Sequence, residues 1–438
     1  MRGRWAKTTL ILSGVCLVSF TQNIVPTEKL RANSQRIEQR ILKLAEFGKS
    51  STGNQRVAFS NADIQGREYI MSLMKEAGLT VRIDAAGNIT GRREGTDSTL
   101  PPILFGSHID CVPNGGNYDG DVGVIGAIEC AQVLFENKVS TRHPLEVVVF
   151  ADEEGGLVGS RGMIGELPEE AMSVVTHSGR TVREGIRFVG GNPENIKDAA
   201  RKKADVKAFI ELHIEQGGTL DAEKVSIGIV EGIVGINWWN VTVEGFANHA
   251  GTTPMNKRKD ALVAASQYVL VVNKVVTGIP GRHVGTVGRI NAEPGALNVV
   301  PGKVTTSLEL RDLSADRIHQ LFEMIQAEVK TIERNTGTKF TFTLIEPTSV
   351  PAPTDKQMRS IIAESARMLG LTLKHMPSGA GHDAQDLTRI APAGMIFVPS
   401  AGGISHSPKE FSKQQDMANG ANVLLQTILR IDGDALDK

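Results

Sequence analysis

The chain has 438 residues and a formal net charge of −1. That length exceeds the roughly 250–300 residues at which one core stops growing, so two domains are expected. Hydrophobic residues at 40% and charged residues at 22% exclude a disordered chain or a many-span membrane protein, and the balanced charge argues against nucleic acid as a partner.

At the start of the chain, Arg2, Arg4 and Lys7 precede an apolar run from Thr8 to Phe20, the pattern of a secretory signal. The run is short against the roughly 20 residues of a spanning helix, so residues 1–25 are expected to be a signal peptide or an uncleaved anchor. The expected location is therefore periplasmic or extracellular, with no other membrane association. Cys16 lies in this leader, and Cys111 and Cys130 are too few for a disulfide framework.

Amphipathic spacing predicts helices over Thr27–Phe47 and Asp63–Ala77. Short β-rich runs follow: LTVRID, NITGRR, PPILFGSHID and, after a helix predicted over Val122–Asn137, LEVVVFADEE. VKAFIELHIEQG completes a strand-helix-strand rhythm typical of an α/β fold with a parallel or mixed sheet. From Ile236 the texture changes to INWWNVTVEGF, a helix over Lys259–Val276, HVGTVGRINAEP, ALNVVPGKVTTSLELRDL, a helix over Ser314–Asn335, and KFTFTLIEP. This β-α-β-β-α-β order predicts a ferredoxin-like α+β unit inserted into the larger domain. The boundaries read as 26–235 and 347–438 for the larger domain and 236–346 for the insert, with Pro347, Pro351 and Pro353 as the exit linker. Lys356–Leu369 is then helical, and AGMIFVPSAGGISH returns to a strand.

Single histidines are weak signals, but here several chemistry-bearing residues close predicted strands. His108 ends PPILFGSHID, Glu153 and Glu154 end LEVVVFADEE, His213 ends KAFIELHIEQG, and His406 follows GMIFVPSAGGIS. Open α/β sheets bind ligands at the carboxyl ends of their strands, so these residues are expected on one rim. Asp119, eleven positions after His108 in NGGNYDGDVG, can bridge two cations. A calcium-loop reading of Asp119-Gly120-Asp121 lacks the further acidic positions. Of the pair Glu153 and Glu154, one can ligate metal while the other serves as general base. Asp110 is placed to orient the His108 ring as an outer carboxylate.

Taken together, HIDCVPNGGNYDGDVGVIGA, DEEG, ELHIEQG, GFANHAGTTPM, LNVVPG, SGAGHDA and GGISHSPKEF resemble the amidase/hydantoinase/carbamoylase branch of the dinuclear-zinc aminoacylase and carboxypeptidase G metallopeptidases, across essentially everything after residue 30. The resemblance implies a zinc-peptidase-like catalytic domain with an inserted lid and dimerisation domain. It implies two divalent ions, zinc first and manganese or cobalt as alternatives, on His108, Asp119 and His213 and on Asp119, Glu154 and His406, with Glu153 as base. It further implies that His249 reaches an active site across a homodimer and that Asn298 and Arg311 grip a substrate carboxylate, with Gln216 and the Gly379–His382 segment as pocket walls. His382 itself is left outside the catalytic set. The implied reaction cleaves the C–N bond of a linear ureido or N-carbamoyl amino acid. The alternatives are an N-acyl-amino-acid hydrolase or exopeptidase and, weakest, a binding protein that retained the fold. One departure stands out: only Leu157 and Val158 separate Gly156 from Gly159, a shorter loop than many branch members carry, so the pocket floor is expected to differ.

Overall fold

The structure is a computed structural model that describes residues 27–437. The expected leader, with Cys16, lies outside the described residues.

Strands β1 (Thr80–Ile83), β2 (Ile89–Arg93), β3 (Ile103–His108), β4 (Leu145–Phe150), β5 (Ala208–Ile214) and β6 (Ile227–Ile233) enter the main sheet. β3, β4 and β5 are buried at every position, as parallel strands covered on both faces must be, and they read as near-continuous apolar runs for that reason. β6 was not singled out in the sequence, although SIGIVEGIV carries the same signal.

Between β6 and the last strands of the main sheet, the chain builds a second sheet from β7 (Gly235–Glu244), β9 (Val284–Thr286), β10 (Ile290–Glu293), β12 (Lys303–Asp312) and β13 (Lys339–Ser349). A small ribbon is formed by β8 (Asn248–His249) and β11 (Val299–Val300). The order β10-β12-β7-β13 is antiparallel throughout, with β7 and β12 central and β10 and β13 at the edges, as a split βαβ unit requires. Helices Ala261–Thr277 and Ser314-capped Ala315–Thr336 cover one face of this sheet around Trp239, Val241, Leu308, Leu310 and Phe340. Period-two alternation therefore sends Trp238, Glu309 and Arg311 to the opposite face.

The chain then returns to the main sheet through β14 (Ala352–Pro353), β15 (Leu373–Ser378) and β16 (Ala393–Val398), giving the order β1-β2-β4-β3-β5-β16-β6-β14 with β15 also on β6. The predicted proline linker is in part strand. β13 extends to Ser349 through a register irregularity after Ile345, and Pro353 pairs with β6 at the sheet edge, where a residue without an N–H is tolerated. The sheet is mixed: β4, β3, β5 and β16 run parallel, β2 is antiparallel to β1 and β4, and β6 is antiparallel to β16 and β14 but parallel to β15.

Helices Ser34–Ala45, Asn61–Glu76, Asp121–Glu136, Lys356–Met368 and Gln414–Asp432 bury one face of the main sheet against Ile103, Phe105, Val147 and Leu212. A second cluster around Leu104, Phe150, Phe209 and Phe397 fills the other. The first predicted helix is shorter than its apolar spacing suggested. A 3-10 turn at Thr27–Lys29 is followed by the helix proper, which starts where the Asn33 side chain accepts from Arg36 N–H. Helix Asp121–Glu136 lies against β5 closely enough that a Cβ at Gly123 would stand 2.1 Å from Leu212 O.

Candidate metal centre

Because β3, β4, β5 and β16 are parallel, their carboxyl ends share one rim. His108 and His213 are the last or next-to-last residues of β3 and β5, Glu153 follows β4, and His406 lies beyond β16. Asp119 sits at the centre. Its Oδ1 is 3.0 Å from His213 Nε2 and 3.7 Å from His108 Nε2, and its Oδ2 is 3.3 Å from His406 Nε2, which is in turn 3.5 Å from Glu154 Oε2. His108, Asp119 and His213 can thus hold one ion, and Asp119, Glu154 and His406 another. Glu153 reaches in beside them, with Oε2 3.8 Å from His108 Nε2.

Backbone conformation fixes this convergence. Asp152, Gln216 and His406 have φ of 54°, 58° and 52°, left-handed values that non-glycine residues adopt at a cost and that tend to cluster at functional sites. Gly120, with φ 65°, turns the chain from Asp119 into helix Asp121–Glu136, and a Cβ there would stand 2.6 Å from the His108 ring.

The donor set suits divalent cations. His108 Nδ1 lies 3.0 Å from Asp110 O and His213 Nδ1 2.9 Å from Ile214 O, so Nδ1 donates in each ring and Nε2, on the Asp119 side, is the nitrogen that can give up its proton to ligate a cation. Glu154 Oε1 is buried without a hydrogen-bond partner. Mixed imidazole and carboxylate donors fit zinc, manganese or cobalt. With protons alone in the site, burial and the neighbouring Glu154 push the Glu153 carboxyl well above its ordinary range. Burial and Asp119 push Glu154 up to about 8. His213 is raised to about 9: burial opposes the charge, but Asp119 and Glu211 outweigh it. His406 is also raised to about 9, chiefly by its hydrogen bond to Asp119. Crowded acids that hold protons are what a cation would relieve.

Asp110 acts differently from the expectation. Its backbone carbonyl, not its carboxylate, receives His108 Nδ1–H. The carboxylate Oδ1 is 3.7 Å from that nitrogen and instead accepts from Glu153 N–H (3.3 Å), with Oδ2 accepting from Glu154 N–H (3.2 Å). It therefore aims the two glutamates, because its side chain caps the short helical turn they begin.

Gln216 donates to Asp119 Oδ2 at 2.7 Å and borders a cleft of about 460 Å³ with Gly379 and Ala380. Arg311 donates from Nη1 to the backbone carbonyl of Gly379, one of the residues lining that cleft, at 2.6 Å. His249 and Asn298 lie exposed on the β8–β11 ribbon, and their described hydrogen bonds are local. His249 Nδ1 accepts from Gly251 and Thr252 N–H (3.0 and 3.2 Å), and Asn298 O accepts from Ala250 N–H. That arrangement leaves the His249 proton on Nε2, facing outward. His382 is buried, its ring edge-on to His213 at 4.4 Å between centroids and its Nε2 2.9 Å from Ser378 Oγ. At the shortened loop, Leu157 joins two helical turns in a left-handed conformation with φ 57°.

Three further residues brace the site. Glu410 accepts from Tyr118 and Asp119 N–H through Oε1 (2.8 and 3.0 Å) and from Ser405 Oγ through Oε2 (2.8 Å), holding the loop that carries Asp119. Glu211 ties Ser107 Oγ to Ala384 N–H beneath the two histidines. Arg56, 1% exposed, donates to Ile109 O and pairs with Asp121 at 2.5 Å. Glu410 and Glu211 lie inside motifs quoted above, GGISHSPKEF and ELHIEQG. Arg56 carries no such signal.

Residues 104–430 match the model of peptidase family M20/M25/M40. The chain belongs to that family. This M20/M25/M40 chain is 40% identical over 403 residues to the N-carbamoyl-L-amino acid amidohydrolase of Geobacillus stearothermophilus, covering 91% of the chain and 98% of that relative. It is 35% identical to the allantoate amidohydrolase of Bacillus subtilis (strain 168), covering 89% and 95%. Its fold superposes on a crystal structure of an amidase of the hydantoinase/carbamoylase family from Burkholderia multivorans with a TM-score of 0.86 at 33% identity, covering 92% and 98%. The mixed α/β architecture expected from the sequence is the one this solved structure shares.

Proposed function

We propose that the protein is a metal-dependent amidohydrolase that cleaves a C–N bond of a linear ureido compound, an N-carbamoyl-L-amino acid or an allantoate-like substrate. The observation that carries this reading is His213, the imidazole opposite Asp119 in ELHIEQG. It stands within a chain similar over nine-tenths of its length to an N-carbamoyl-L-amino acid amidohydrolase.

His108, Asp119 and His213 would hold one ion, and Asp119, Glu154 and His406 a second, with zinc first in expectation. Bound divalent ions would polarise the scissile carbonyl and make a water acidic enough to attack near neutral pH. Glu153 accepts the proton of the attacking water and returns it to the leaving nitrogen. His249 donates its Nε2–H to the oxyanion that forms as the carbonyl carbon becomes tetrahedral. Arg311 and Asn298 bind the substrate carboxylate, Arg311 through a planar fork that matches its two oxygens.

We also assign the 236–346 unit a lid and dimerisation role, since Leu262, Val263 and Leu270 on helix Ala261–Thr277 and Phe246 and Met255 beside it are exposed apolar side chains. Export rests on the pattern of residues 1–25; fractionation and N-terminal sequencing of the cellular protein test it.

The decisive assay incubates metal-reconstituted protein with N-carbamoyl-, N-acetyl- and dipeptide substrates while measuring ammonia and free amino acid together. Ammonia with amino acid is expected from the N-carbamoyl compound. Amino acid without ammonia, from the acetyl or dipeptide substrates alone, would make the protein an acylase or exopeptidase instead.

A further inference from the structure

Arg311 does not face its cleft freely. On the open face of the second sheet, its Nε and Nη2 donate to the two carboxylate oxygens of Glu309 at 2.9 and 3.1 Å, a side-on fork pairing between residues two apart on β12. Glu309 is held in turn. Trp238 Nε1, directly across the strand pair from Glu309, donates to Glu309 Oε2 at 2.6 Å. The third nitrogen, Arg311 Nη1, donates to Gly379 O on the wall of the cleft that also contains Gln216.

A guanidinium carries five N–H groups in one plane. Side-on pairing with Glu309 uses Nε–H and one Nη2–H, and Gly379 O takes one Nη1–H. The two N–H groups left are one on each terminal nitrogen, and the end-on edge they can form matches the spacing of the two oxygens of a second carboxylate. We propose that Glu309 and Trp238 are positioning residues that lock Arg311 in this orientation, so that its end-on edge is presented ready-made to the substrate carboxylate and sets the preference for substrates with a free carboxyl group. This rests on the reading that Arg311 binds that carboxylate.

The physical gain is preorganisation. A free arginine side chain has four flexible torsions to order on binding, and a clamp that orders them beforehand moves that loss out of the binding step. The same pairing lowers the positive charge at the cleft wall. Selection then depends on two aligned donors rather than on long-range attraction, so a neutral carboxamide, which offers one acceptor and one donor to that edge, is discriminated against.

Kinetics of the metal-reconstituted full chain would be compared on an N-carbamoyl-L-amino acid and its α-carboxamide for Arg311→Ala, Glu309→Gln, Glu309→Asp and Trp238→Phe. Glutamine presents an N–H₂ where Arg311 also donates, so Glu309→Gln is expected to raise KM for the acid roughly tenfold, with a much smaller change in kcat and in the carboxamide's KM. Trp238→Phe shifts KM in the same direction by less, and Glu309→Asp recovers part of the loss. A lower KM for the acid in Glu309→Gln would mean that Glu309 competes with substrate for Arg311 and would overturn the proposal, as would an unchanged one. An acid KM unmoved by Arg311→Ala would instead remove the carboxylate-binding reading on which the proposal stands. Calorimetric titration with the free L-amino acid separates the two failures from loss of turnover: binding weakened by Glu309→Gln in an enzyme inactive on ureido compounds would keep the clamp and reject the ureido substrate.

Discussion

Glu153 and Glu154 are adjacent and both ordered by the Asp110 carboxylate, yet their surroundings divide them. Glu154 lies within reach of Asp119 and His406, whereas Glu153 points toward His108 from beside the ligand set. Glu153→Gln is therefore expected to keep metal content near that of the wild type while lowering kcat by about a hundredfold or more, the usual contribution of a general base. His213→Ala, which removes a donor 3.0 Å from Asp119, is expected to lower metal occupancy; metal analysis beside turnover checks both. Equal metal loss in the two variants would reverse these roles.

The same residues set a pH dependence. In the metal-free site, Glu154 is raised from 4.5 to about 8, and His213 and His406 from 6.5 to about 9. A raised folded-state pKa contributes stability that is present below the unfolded value and lost as pH rises through the folded one. These three groups thus cost the metal-free protein stability as pH rises from about 4.5 to 9, and over the same window proton competition against metal binding weakens step by step. The gap in melting temperature between metal-loaded and chelator-treated protein should widen with pH across that window. A gap that narrows on going from pH 6 to 8 would contradict the proton-crowded site.

At the scale of elements, the ligands arrive on rigid strand ends, but the loops after them need bracing. Arg56 supplies it for two at once, since it donates to Ile109 O just after His108 and pairs with Asp121 just after Asp119. Both partners are 1% exposed, so Arg56→Met strands a buried carboxylate. The expected cost is about 3–5 kcal/mol, read by denaturant unfolding, with weaker metal retention. Arg56→Met with Asp121→Asn should recover part of the stability, because the charge is removed with its partner.

Arg56 also shows where sequence reading stops. Its neighbours QRVAF have no periodicity or motif that could announce a role, because the partners that tie it to the site lie 53 and 65 positions away and only the tertiary fold brings them near. The metal rim was legible for the opposite reason: fully buried parallel strands are continuous apolar runs, and a polar residue that closes such a run marks the sheet's carboxyl edge. Asp110 was half legible. Its place near His108 followed from spacing, but which of its oxygens meets the ring depends on a helical turn at Glu153 that has no sequence signature of its own. The proline-rich exit misled, since prolines at a sheet edge can still be strand.

At the scale of the molecule, the metal rim and the donor proposed for the oxyanion are on different units. His249 has its Nδ1 engaged by Gly251 and Thr252 N–H and its Nε2–H outward, and none of its described hydrogen bonds reaches the metal ligands. A donor built this way needs a substrate-filled site brought against it, from its own chain by closure or from a second copy by pairing. The exposed side chains Leu262, Val263, Leu270, Phe246 and Met255 favour a second copy. In a symmetric dimer with shared sites, each site would combine Glu153 of one subunit with His249 of the other. Glu153→Gln and His249→Ala homodimers should then each be nearly inactive with normal metal content. After subunit exchange, a mixed dimer would contain one site with both defects and one with none, so an equimolar mixture should recover about a quarter of wild-type activity: half the dimers are mixed and each has half its sites intact. Sedimentation velocity would establish the dimer and the exchange. Exchange without recovery would place His249 over its own chain's metal site and leave closure within one subunit as the way the site is completed.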